Sequence, residues 1–105
     1  MKLKPGVRVL GIRPEVVIAM VVANGIWARN GAELVVTSAI DGAHMRASKH
    51  YTGCAVDLRT HGLTAPEEAV KGLKEALGDD YDVILEGRGD PNEHCHEEFD
   101  PKLPY

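Results

Sequence analysis

The sequence predicts an α+β domain: a small, mainly antiparallel sheet with two packed helices. Three observations lead there. Short β-branched segments such as "ELVVTSA" and "YDVILEG" stand apart from two segments of helical spacing, the order is helix, strand, strand, helix, strand, strand, and neither βαβ alternation nor an internal repeat is present. A chain of 105 residues that is 44% hydrophobic suits one domain over 1–105 with one core. Every motif should then share that fold.

The first helix runs from about Pro14 to Arg29. Pro14 suits the first helical position, Glu15 the first turn, and Asn30-Gly31 a left-handed stop. Almost no polar face is left, which predicts a helix buried in the core, and Gly25 within it marks a close approach or a break. Glu33 to Ala39 reads as a strand, Asp41-Gly42 as a turn, and Ala43 to Tyr51 as a loop. "CAVDL" after Gly53 is a second strand, with Ala55 and Asp57 on one face and Cys54, Val56 and Leu58 on the other. Thr64 and Glu67 make a capping box, Pro66 falls in the first turn, and Val70, Leu73 and Leu77 follow at helical spacing up to Gly78. "YDVILEG" is a strand ending at Glu86, "RGDPN" a loop, "EHCHEEF" a further strand, and "DPKLPY" a tail or edge.

Composition excludes several classes. A net charge of -4 without clustered Lys and Arg argues against a nucleic-acid partner. The apolar run Val16 to Ala23 falls well short of the roughly 20 residues that span a bilayer, so no membrane partner is expected. Pro14 and Glu15 before that run and Asn24 after it make a poor signal peptide. Cys54 and Cys95 read as reduced, partly buried thiols, and Trp27 as core.

The chemistry concentrates in "SKHYTGCAVDL" and "EHCHEEF". His50, Asp57, Glu93, His94 and His96 lie at ends of elements that an antiparallel sheet can bring side by side. Singly, each reads as readily as a solvated loop residue; together, two imidazoles and a carboxylate would make a three-ligand zinc site with a fourth position open. Along a strand His94 and His96 share a face while Cys95 and Glu97 point away, so one histidine can ligate and the other can serve substrate or oxyanion. Asp90 and Asn92 have a passing likeness to a calcium loop but lack its turn glycine. Cys54 lies on the face opposite Asp57, against a thiol nucleophile. His44 and His61 default to the surface.

These two segments fit S-x-H-x-x-G-x-A-x-D and an acid-His-x-His strand. In this they resemble the zinc D-Ala-D-Ala carboxypeptidase and L-alanyl-D-glutamate endopeptidase family, which includes phage endolysins and is related in fold to the hedgehog signalling domain; the likeness covers Val35 to Asp100. The resemblance implies one zinc ion on His50, Asp57 and His96, Glu93 as general base, His94 assisting beside the metal, and Ser48 in support. Glu86 is a rival base, because the hedgehog-like branch places its glutamate further upstream. Many members carry an arginine after a "TSG"-like strand end to hold the substrate; here Arg46 or Arg59 would have to substitute. The implied protein is a monomeric peptidase acting on the peptidoglycan stem peptide, cytoplasmic or virion-associated in a bacterial host until release. A zinc-containing binding or virion structural module of the same fold is the alternative.

Overall fold

The computed structural model describes residues 1–41 and 49–102. Seven elements follow in order: β1 (Lys2–Leu3), α1 (Pro14–Arg29), β2 (Val35–Ser38), β3 (Ala55–Arg59), α2 (Pro66–Leu77), β4 (Tyr81–Glu86) and β5 (His94–Phe99). The strands form one mixed sheet in the order β1-β2-β3-β5-β4, with β1 parallel to β2 and the other neighbours antiparallel. The α+β class and the mainly antiparallel sheet are thus as expected. β1 is an addition. Lys2 N donates to Leu34 O at 2.8 Å and Lys4 N to Val36 O at 2.9 Å, but two residues carry no periodicity by which a strand is recognised.

Strand alternation divides the sheet. Val36, Val56, Leu58, Val83 and Cys95 enter the core, where they meet Ala23, Ile26 and Trp27 of α1 and Val70 and Leu73 of α2. Asp57, Arg59, His94 and His96 take the other face by the same alternation. Trp27 is fully buried and donates its indole N–H to the Arg59 carbonyl at 2.9 Å, so its one polar atom is satisfied where its ring is packed. Both cysteines are free thiols, and burial pushes the Cys95 thiol up, out of reach of ionisation at neutral pH.

Three local expectations are corrected. α1 is not buried all round: Val16, Ala19, Met20, Ala23, Ile26 and Trp27 face the core, while Val17, Ile18 and Val21 are exposed. The apolar pattern alone cannot say that this side would be left uncovered. Gly25 neither breaks this helix nor lies against another element, the Arg29 guanidinium being its neighbour. The Thr64–Glu67 capping box does not form either. α2 starts one residue later with Ala65 as an uncapped N-cap, and the Glu67 carboxylate instead accepts from Arg88 Nε at 2.7 Å.

One core residue breaks the apolar pattern. Glu97 is 1% exposed on the helix-covered side of β5, and neither carboxyl oxygen has a hydrogen-bond partner. Desolvation therefore pushes its pKa up to about 8, against 4.5 for a free glutamate. Between those values the unfolded chain gives up this proton and the folded chain keeps it, so the unfolded state is favoured increasingly as pH rises through that window. Glu97→Met removes both the titration and the unpaired oxygens. In thermal melts the variant is expected to gain progressively on the parent chain from pH 5 to pH 8; parallel curves would show that Glu97 ionises normally.

Candidate metal centre

Backbone register assembles the site. Asp57 of β3 stands directly opposite His96 of β5, and Arg59 opposite His94, which places both histidines of the H-x-H pair on the open face. β4 sets Glu86 opposite His94 on its other side. β2 reaches the same region with a bulge: Val36 pairs with Leu58 but Ser38 with Asp57, so one extra residue bends the strand end. That end delivers the Ala39 carbonyl, 2.6 Å from His50 Nδ1.

His50 arrives on a turn rather than a strand. Gly53 N donates to His50 O and Cys54 N to Lys49 O, while Gly53 O accepts from Arg13 N at 3.0 Å. Gly53 has φ +75°, and a Cβ there would stand 2.3 Å from the Gly11 carbonyl oxygen. The glycine between His50 and Asp57 is thus required twice, by backbone conformation and by a close approach.

The three expected ligands come together. His50, Asp57 and His96 offer atoms that all lie within 4.8 Å of one another. Asp57 Oδ1 is 3.3 Å from His50 Nε2 and 3.0 Å from His96 Nδ1. Burial works to raise the Asp57 pKa, but hydrogen bonds from His50 and His96, with the nearby imidazole charges, outweigh it and hold the carboxyl well below the usual carboxylate range. His96 is pushed up to about 9, chiefly by its hydrogen bond to Asp57 and also by Glu98.

The set fits a zinc ion. Two imidazole nitrogens and a carboxylate oxygen are the donors zinc takes, and the outward nitrogens are already held: His50 Nδ1–H by the Ala39 carbonyl, His96 Nε2–H by Glu98 Oε1 at 3.0 Å. Each ring is thereby fixed so that the inward nitrogen keeps its lone pair when a metal displaces the proton. Glu98 was not among the expected site residues, although its i+2 spacing from His96 on one strand face was the signal.

The other expected residues divide. His94 Nδ1 donates to the Asn92 carbonyl at 2.7 Å, which aims Nε2 at Asp57 and Glu86, 3.8 and 3.9 Å away. Glu86 is half-exposed beside it. Glu93 is nearly buried and fully engaged: it accepts from Gly89 N at 2.9 Å, Thr60 Oγ1 at 2.5 Å and Arg88 Nη1 at 3.0 Å. Those contacts, the Gly89 amide first, hold its pKa below the ordinary value, so the carboxylate serves as the clamp of the 87–93 loop. Arg46 and Ser48 lie outside the described residues, as does His44. A cleft of about 610 Å³ opens beside Asp57 and His94, with Thr37, Arg59, Glu93 and Lys4 on its walls. Lys4 is a second residue that the sequence reading did not anticipate here.

Comparison with protein-family models, curated proteins and solved structures returns no match. The site therefore stands on its geometry.

Two measurements follow from that geometry. By equilibrium dialysis, His50→Ala, Asp57→Ala and His96→Ala are each expected to abolish stoichiometric zinc binding, while Glu98→Ala weakens it about 10–100-fold, the usual cost of losing an orienting partner. Gly53→Ala is expected to cost at least about 1–2 kcal/mol for the left-handed backbone alone, read as a lowered denaturation midpoint; an unchanged midpoint would show that the turn relaxes without loss.

Proposed function

We propose that this protein is a zinc-dependent peptidase that hydrolyses an amide bond in the peptide stem of peptidoglycan, of the D-Ala-D-Ala carboxypeptidase or L-Ala-D-Glu endopeptidase type, on a fold of the hedgehog/DD-peptidase kind. The observation that carries this reading is the gathering of His50, Asp57 and His96 within ligand distance of one another, with Asp57 also lining a cleft beside His94. The motif resemblance supplies the substrate class. An endolysin-like role, in a phage or prophage and released onto the wall, belongs to the same proposal.

When bound, zinc supplies Lewis acidity toward a carbonyl oxygen and a water whose pKa falls to about 7. The chain's own residues do the rest. Asp57 stays ionised throughout the neutral range and is ready to ligate without first losing a proton. His94, with Nδ1 committed to a backbone carbonyl, presents Nε2 as the group that takes a proton and returns it to the leaving amine, with Glu86 beside it to stabilise the charged ring. Lys4 and Arg59 on the cleft wall suit the carboxylates that a stem peptide carries. Glu93 keeps the loop in place beneath His94.

A specific observation favours the alternative of a non-catalytic zinc module: the glutamate expected to act as base is tied up by three donors. The two readings separate on one experiment. Zinc-loaded protein is incubated with purified muropeptides, with and without chelator, and the products are weighed by mass spectrometry. Chelator-sensitive cleavage is expected, and the product masses name the bond. Intact muropeptides despite stoichiometric zinc would give the site to the binding module. Among variants, His94→Ala is expected to keep zinc and lose at least about 100-fold in hydrolysis; the same loss in a folded, zinc-loaded Glu93→Gln would return the base to Glu93.

A further inference from the structure

The exposed apolar side chains of this molecule are gathered at one end of the chain. Among the described residues nine large hydrophobics are exposed, and all but Tyr51 and Ile84 fall within residues 1–21. They are also contiguous. Met1, Leu3 and Val9 line one groove with Val17 of α1, and Ile18 and Val21 continue the surface along that helix. Leu10, 89% exposed, projects from the turn closed by Ile12 N and Val9 O.

At 100° per residue, Pro14, Val17, Ile18, Val21 and Ala28 form a single exposed stripe on α1 with no acidic side chain in it. Basic residues bracket the stripe, Arg13 before its first position and Arg29 at its end. The same bias holds for the segment as a whole. Residues 1–32 contain five of the chain's 12 lysines and arginines but one of its 16 acids, Glu15. Lys2 is paired with Glu33, Arg13 with Glu15, and Lys4 lines the cleft with Asp57 and Arg59, which leaves Arg8 and Arg29 as cations without an ionic partner among the described residues.

We propose that this face docks on the surface of an anionic lipid bilayer. Leu10, Val17, Ile18 and Val21 enter the boundary between headgroups and acyl chains while the flanking arginines meet the headgroup charge. No described helix is long and apolar enough to cross a membrane, and lying on one requires only this single face. Charge decides against a second copy as the occupant, because a two-fold axis through the face would oppose like cations. The inference is independent of the peptidase reading.

Co-sedimentation with vesicles of phosphatidylcholine alone, or mixed with phosphatidylglycerol, tests it in parent and variant chains. Binding is expected to the mixed vesicles, weakening with added salt, and falling at least about tenfold in the double variant Leu10→Glu, Ile18→Glu and severalfold in Arg8→Ser, Arg29→Ser. Three outcomes would overturn the proposal: no sedimentation with mixed vesicles, equal binding to neutral ones, or binding that the double variant leaves intact. A dimer in analytical ultracentrifugation that the double variant dissolves would likewise give the face to a second copy. Leu10 and Ile18 are exposed, so circular dichroism should show both variants folded.

Discussion

The register of β3 on β5 is the constraint on which the rest of this structure depends. Because side chains alternate with a period of two, the pairing that sets Asp57 opposite His96 also sends Val56, Leu58 and Cys95 into the core. A slip of one residue would bury the aspartate and both histidines and expose the packed residues. The apolar contacts that stabilise the sheet therefore hold the polar residues in place without any separate device. Glu97 is the exception on the buried side, and it tolerates the register because its carboxyl can stay neutral there.

Strand β5 and the residue before it show how differently one residue type behaves along a few positions. Glu93 is an ionised clamp on the 87–93 loop, Glu97 an unpaired carboxyl in the core, and Glu98 an orienting partner of His96. The backbone decides among these roles. Glu93 stands just before the strand, where the turn through Gly89 offers an amide; Glu97 and Glu98 are divided by the pleat. Composition counts all three alike, as surface acids.

How much was legible follows the same division. α1 was readable to its ends because Pro14 and Asn30-Gly31 act locally, and the strand faces of Asp57 and His96 were readable because alternation is local too. Spacing brought His50, Asp57, Glu93, His94 and His96 together as candidates, and the family resemblance singled out His50, Asp57 and His96, the three that the structure groups. What escaped depends on contacts distant in sequence. Arg88 reaching Glu67 replaces a capping box that the local sequence supports, and Thr60, 33 residues away, joins the nearby Arg88 and Gly89 in occupying a glutamate that the resemblance gives as the general base. The exposed side of α1 is a third case, since an apolar helix reads the same whether or not a neighbour covers it.

The cationic wall of the cleft rests on the shortest strand. Lys4 follows the two residues of β1, which join the sheet at its edge through a pair of backbone hydrogen bonds to Leu34 and Val36. Opening such an edge costs far less free energy than unfolding the sheet behind it. The width and charge of the cleft thus follow a local equilibrium of their own. Amide exchange at Lys2 and Lys4 would run orders of magnitude faster than at Asp57 or His96, and a ligand bridging Lys4 and Arg59 would slow it as a latch slows a door.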